Sequence, residues 1–173
     1  MTSSLTERDR VDLRTFDSSF ETRTIYSVMA DGEGFTLVLN ELATPLHKRY
    51  PIGDQIVGRG QPWDRAFLVR EGDELIAFAA TTLERWNNRQ TLNELHVRHT
   101  HRRRGVARRL LEEVRHEAER NRAREIHVET QNVNHPGIQA YLRLGFRLTG
   151  IDLTRYPESR EIALFLSAPV GSS

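Results

Sequence analysis

Between Leu92 and Leu111 a strand-like segment breaks into Arg102-Arg103-Arg104-Gly105-Val106-Ala107 and continues at once as a helix. The helix stripe is Ala107, Leu110, Leu111, Val114 and Ala118, while Arg108, Glu112, Glu113, Arg115 and Glu119 form a solvated face. A strand running straight into an amphipathic helix restricts the fold to an α/β arrangement, with the turn at the C-terminal end of a strand, where open α/β sheets place ligands. The first N–H groups of a helix have no intrahelical partners, and the helix dipole favours negative charge there. Gly105, lacking Cβ, lets an anion approach the backbone. From Arg98 to Arg109 there are six arginines, two histidines and no acid. The turn lacks both the Lys-Ser/Thr ending of a nucleotide P-loop and the spaced glycines of a dinucleotide fingerprint, so a phosphate-bearing ligand of another kind is expected.

Composition narrows the choice. The 173 residues suit one domain, and 38% hydrophobic with 28% charged residues describe a chain able to bury a core. Lys plus Arg total 25 against 24 for Asp plus Glu, so the net charge of +1 argues against a nucleic-acid binder, and few aromatics accompany the arginines for base stacking. There is no cysteine, which removes disulfides, thiol nucleophiles and cysteine-bound metal. No apolar run approaches the roughly 20 residues of a membrane span, and no signal-peptide pattern opens the chain; a cytoplasmic location without membrane partner is expected.

Strands are expected at Thr24–Val28 and Phe35–Leu39 around the turn Asp31-Gly32-Glu33-Gly34, then at Ala66–Arg70 and Glu74–Ala79 around Glu71-Gly72-Asp73. Residues 51–64 read as a loop. Further strands are expected at Thr91–Val97, Glu125–Thr130, Phe146–Tyr156 and Glu161–Phe165, with a short helix over 136–144. Residues 1 to about 10 and 169–173 read as flexible ends of one domain spanning 1–173, with neither repeat nor linker.

Two blocks carry a family resemblance. Arg102-x-x-Gly105-x-Ala107, after a strand ending Leu95-His96-Val97, resembles the acyl-CoA signature of the GNAT superfamily of N-acetyltransferases. Asn134-x-x-Gly137-x-x-x-Tyr141-x-x-x-Gly145-Phe146 resembles the second motif of that superfamily at matching spacing. The resemblance implies a single GNAT-like α/β domain with a mixed, mostly antiparallel sheet, a central parallel strand pair and helices on both faces. It implies acetyl-CoA as co-substrate, with main-chain groups of Leu95, His96 and Val97 pairing with the pantetheine arm. The amides of Arg103, Arg104, Gly105, Val106 and Ala107 would bind the pyrophosphate, with side-chain charge from Arg102 or Arg108. Asn134 would contact the coenzyme arm near the thiol, and Tyr141 would protonate the leaving thiolate.

The acceptor would be a primary amine, almost wholly protonated at neutral pH, so a base is needed. Strand alternation puts Glu94 and His96 on one face and Leu95 and Val97 on the other; Ile126 and Val128 likewise leave His127 and Glu129 opposite. Glu94 and Glu129 are the base candidates, and either can instead anchor substrate or be a structural carboxylate. His96-x-x-His99-x-His101 has metal-like spacing, but two of the three lie in a loop among arginines that repel a cation, so no metal is expected. His127 and His135 read as surface or lining residues.

A narrower resemblance, from about Asp17 to Leu166, is to streptothricin (nourseothricin) acetyltransferases. It rests on Ser19–Thr22, Asp31–Leu37, Pro45–Pro51, Trp86-Asn87-Asn88-Arg89 and Glu129–Pro136, continuing through Gly150-Ile151-Asp152 to Tyr156. It implies an antibiotic-resistance enzyme acetylating an amine of a small cationic molecule, with Trp86, Glu94 and Tyr156 lining the acceptor site, acting as monomer or homodimer. The chain departs from that family by lacking a long acidic insertion after Pro51, where Asp54 and Asp64 are balanced by Arg59 and Arg65. It also has Asn93-Glu94 in place of a Glu-Asp pair. A protein or peptide amine as acceptor and a non-catalytic acyl-CoA-binding module are the competing readings.

Overall fold

The structure, a computed structural model, describes residues 5–50, 52, 63–157 and 161–171. Its elements are α1 (Glu7–Arg14), β1 (Phe20–Ala30), β2 (Phe35–Lys48), β3 (Arg65–Glu71), β4 (Glu74–Glu84), β5 (Arg89–Val97) and a 3-10 turn at His99–His101. They continue with α2 (Val106–Arg120), β6 (Glu125–Gln131), α3 (His135–Arg143), β7 (Arg147–Tyr156) and β8 (Glu161–Pro169). The sheet order is β3-β4-β5-β6-β8-β7, with β5 and β6 parallel, and β1-β2 form a separate two-stranded ribbon. Among the described residues no helix is long and apolar enough to cross a membrane. The expected loop at 51–64 lies almost wholly outside the described residues, Asp54 and Arg59 with it.

The chain divides into two compact units, each discontinuous in sequence, so no linker composition marks them. The first holds residues 1–18, 49–128 and 169–173. Its centre is β4, whose run Leu75–Ala80 is buried throughout, as in a strand covered on both faces. On one face Phe78 and Ala80 pack with Leu5, Leu13, Phe16 and Trp63. On the other, α2 buries Leu110, Leu111 and Val114, each worth about 1.5–3 kcal/mol by area. Where the sequence suggested a frayed end through residue 10, α1 begins at Glu7 with a capping box between Thr6 and Asp9. Burial alone would push the Asp9 carboxyl up, but hydrogen bonds from Thr6 and Arg70 outweigh it and hold the group below the usual carboxylate range. A polar sequence hid this helix because its stability comes from caps and ion pairs as well as from Leu13.

The second unit holds residues 19–48 and 129–168. Its ribbon turns at Gly32, where φ is 89°, with Asp31 Oδ1 accepting from the Glu33 and Gly34 N–H groups. Both ribbon strands run well past the predicted segments. β2 was under-read because it contains Pro45; that residue falls in a break of the pairing between Glu41 and Leu46, where its missing N–H costs nothing. The turn after β6 is tied to the ribbon by two hydrogen bonds, Tyr26 N–H to the Asn132 carbonyl and Asn132 Nδ2 to the Tyr26 carbonyl, at 3.0 and 2.6 Å.

Candidate active site

In the first unit the parallel β5–β6 pairing runs from Arg89↔Glu125 to Leu92↔Val128 and stops there. Among the described residues β5 continues through Val97 with β4 alone as its strand partner. The outward N–H and C=O groups of this last stretch, which contains Leu95, His96 and Val97, form a strand edge of the kind an extended ligand arm can extend. The change coincides with a β-bulge: Ala80 faces Glu94 and Thr81 faces Leu92, leaving Asn93 as the extra residue. The bulge brings Asn93 and Glu94 to one face, since the Thr82 hydroxyl donates to Asn93 Oδ1 at 2.9 Å while Ala80, two residues away, pairs with Glu94. Strict alternation would have separated them. Glu94 and His96 share a face as expected, with His96 Nε2 2.7 Å from Glu94 Oε2. The His96 ring is fixed by stacking on Phe78 at 5.1 Å and by an edge contact with Phe16 at 6.4 Å.

Beyond Val97 the chain makes its 3-10 turn and reaches the arginines. Arg103 adopts φ 61° and Gly105, the α2 N-cap, φ 79°. A Cβ on Gly105 would have nothing within 4 Å, so the residue is needed for backbone conformation and leaves space above the helix start. The first intrahelical bond runs from Arg109 N–H to the Gly105 carbonyl at 3.1 Å, so Val106, Ala107 and Arg108 direct N–H groups outward without a helical partner. Among the described residues no side chain caps this end, and no acid lies in its first turn, unlike α1, with both an acidic first turn and the Thr6 cap, and α3, capped by Asn134. Arg103 and Arg104 are exposed beside it. Arg102 is half-buried; its Nε donates to the Val97 carbonyl at 3.1 Å, bracing the strand end against the turn. Burial lowers the pKa of its guanidinium, Asp17 opposing, though an arginine stays charged. A dianionic pyrophosphate fits this donor set.

The three motif histidines do not converge: His96 pairs with Glu94, and His101 Nε2 lies 2.9 Å from Glu71 Oε2. Trp86 is 86% exposed in the β4–β5 turn. It lies beyond Arg89, which is about 16 Å along β5 from Glu94, so the structure does not bring its indole to that carboxylate. His127 faces Glu84, Arg89 and Glu125; burial, then Arg89, push its pKa down.

In the second unit Asn134 caps α3, its Oδ1 accepting from Gly137 N–H at 3.1 Å while Nδ2 donates to Thr130 Oγ1 at 3.0 Å. A Cβ on Gly137 would sit 2.5–2.8 Å from the Asn134 carboxamide, which explains glycine inside that helix. Tyr141 is 9% exposed and packs edge-on against Phe146 at 5.4 Å. His135 packs against the Tyr26 ring at 5.7 Å, and burial, then Arg143, push its pKa down.

Glu129 and Tyr156 are brought together: the Tyr156 hydroxyl donates to Glu129 Oε1 and itself accepts from Gln131 Nε2 at 2.8 Å. Arg155 Nε donates to Glu129 Oε2 at 3.1 Å. Burial pushes the Glu129 carboxyl above the usual range, with Arg155 opposing and Asp152 adding to the rise. Neighbours in a strand point to opposite faces, so Arg155 and Tyr156 should not both reach one carboxylate. They do because β7 is irregular: Leu153, Thr154 and Arg155 lie between the paired residues Asp152 and Tyr156, opposite Ile162 alone. Arg155, Gln131 and the Asn93 bulge escaped sequence reasoning. A bulge leaves no periodic trace.

The GNAT acetyltransferase family model matches residues 35–146. The chain is 33% identical over 170 residues to a streptothricin acetyltransferase of Streptomyces lavendulae, covering 93% of this chain and 90% of the relative. Its fold is similar to the crystal structure of nourseothricin acetyltransferase, with TM-score 0.87 and 33% identity over 99% of this chain and 97% of that one. It is also similar in fold to a Bacillus anthracis protein in complex with acetyl coenzyme A, with TM-score 0.79 and 20% identity over 98% of both chains. The strand that leaves its parallel partner, the arginine turn with its uncapped helix and the matched motifs thus agree: the chain belongs to the GNAT acetyltransferase family.

Proposed function

We propose that the protein transfers the acetyl group of acetyl-CoA directly to a primary amine of a small cationic molecule of the streptothricin type. The observation that carries the reading is the uncapped, acid-free start of α2 beside a β5 edge that, among the described residues, has no strand paired to it beyond Leu92. The first suits a pyrophosphate and the second an amide-bearing arm. The reading needs no metal, nucleic acid or membrane partner, and places the enzyme in the cytoplasm.

In the step, the neutral amine nitrogen attacks the thioester carbonyl carbon and the carbon–sulfur bond breaks as the tetrahedral adduct collapses. The leaving thiolate takes the Tyr141 phenolic proton, and the proton that the adduct nitrogen loses on collapse restores the phenol. Without cysteine in the chain, no acyl-cysteine intermediate can form, which favours direct attack. Glu129 takes the amine's proton, since its raised pKa brings a carboxylate nearer the operating pH, where a base works best. Glu94, held by His96, anchors acceptor charge. In the first unit the Leu95–Val97 edge binds the arm, and Arg102, Arg103, Arg104, Gly105, Val106, Ala107 and Arg108 hold the phosphates; the resemblance to the family motif is what assigns Asn134 to the arm.

The test is thiol release from acetyl-CoA against streptothricin, simple diamines and lysyl peptides. Turnover is expected with streptothricin and diamines. Turnover of lysyl peptides alone would move the reading to a protein acceptor, and coenzyme binding without any turnover would reduce it to a binding module.

A further inference from the structure

Glu129 has two different sides. Oε1 is held by the Tyr156 hydroxyl, itself steadied by the Gln131 amide, in partly buried side-chain contacts. Oε2 is held by Arg155 through a single N–H at 3.1 Å, and the Arg155 side chain is 55% exposed against 21% for Glu129. The first contact is partly buried and the second is exposed. The irregular stretch of β7 aims Arg155 there, with Asp152 Oδ1 accepting from Thr154 N–H and Oγ1 at 2.8 Å to hold the bulge. Bulges near active sites characteristically re-aim side chains in this way.

We infer that Arg155 is a specificity-determining residue: it occupies Glu129 Oε2 as a stand-in for the cationic acceptor and gives that oxygen up when an alkylammonium binds. The inference rests on the proposed acetyl transfer and deepens it, since it selects acceptors that arrive as cations. An exposed ion pair is worth little, so exchange for a substrate ammonium is inexpensive. The exchange also prepares the base. With Arg155 displaced, the incoming ammonium is hydrogen-bonded to Oε2, and its proton passes to that oxygen, leaving a neutral amine and a neutral carboxylic acid. The arginine itself cannot supply the proton.

The groups facing Glu129 among the described residues agree with this. On β7 these are Arg155, which opposes protonation, Asp152, which favours it, and the Tyr156 phenol. On β8, which lies between β6 and β7, Glu161 is paired with Lys48. On β6, His127 shares the Glu129 face two residues earlier, its charge disfavoured by burial.

Arg155→Met removes the charge while keeping the aliphatic stem, and Arg155→Lys keeps the charge. With streptothricin as acceptor and saturating acetyl-CoA, R155M should lower the acceptor KM by about two- to fivefold with kcat nearly unchanged. Its acid limb of kcat/KM should move to higher pH, because loss of a neighbouring cation favours the protonated carboxyl, and R155K should resemble the parent. A KM that rises or stays put in R155M, with an unmoved limb, overturns the inference. If the parent enzyme turns over no amine, the proposed function fails. The inference is then read from the Glu129 carboxyl resonance by NMR during titration with 1,3-diaminopropane. Tighter diamine binding in R155M supports it, and equal or weaker binding overturns it.

Discussion

Gly137→Ala gives a prediction whose sign depends on the Asn134 cap. In an ordinary helix, replacing glycine by alanine stabilises by about 0.8–1.0 kcal/mol. Here the new methyl would come within 2.5–2.8 Å of the Asn134 carboxamide, so that side chain must move. Its displacement removes the cap on Gly137 N–H, worth about 1 kcal/mol. It also removes the bond to Thr130 Oγ1, worth about 1 kcal/mol more because Thr130 is buried. The losses exceed the propensity gain, and G137A should be destabilised by about 1 kcal/mol, or a Tm drop of about 2–4 °C for a chain of this size. Urea unfolding of a double-mutant cycle checks the cause: in an Asn134→Ala background, which has already lost the cap, the same Gly137→Ala change should become stabilising. If G137A alone raises stability, the close approach of Asn134 does not constrain the helix and the reasoning fails.

Tyr141→Phe keeps the packing against Phe146 and removes the acid, so kcat should fall by about 10²-fold or more with acetyl-CoA affinity retained; unchanged turnover would remove the assigned role. Gly105→Ala meets no atom but forces a side-chain-bearing residue to φ 79°, so unfolding experiments should show a loss of about 1 kcal/mol, and KM for acetyl-CoA should rise. Asp9→Asn should destabilise at neutral pH by about 1–3 kcal/mol, since the Arg70 and Thr6 bonds favour the ionised form. The depressed folded pKa means that this stability is present above the unfolded value and lost as pH falls through the folded one. The difference between parent and D9N in urea midpoints should therefore shrink in acid, and a constant difference would rule out the ionised Asp9 as its source.

Much of the fold was legible because it is local. The α2 stripe, the Gly32 and Gly72 turns and the β4 apolar run follow from periodicity and turn chemistry within short windows. The ribbon was only partly legible, since β2 is exposed along much of its length and carries Pro45 where its pairing breaks. Trp86, in a matched segment, stands exposed in the turn at the far end of β5 from Val97, a placement that depends on the hairpin and not on the motif.

By itself the sequence determined the phosphate-binding turn, the order of strand, helix and strand around it, and the Asn134–Phe146 block, because each depends on residues within a few positions of one another. Only the tertiary structure decided that β5 leaves β6 after Leu92, that Asn93 and Glu94 share a face, and that Arg155 and Tyr156 hold one carboxylate. These are properties of register between strands. An extra residue in one strand turns every following side chain over, and whether it is extra depends on the partner strand, which lies outside the local window.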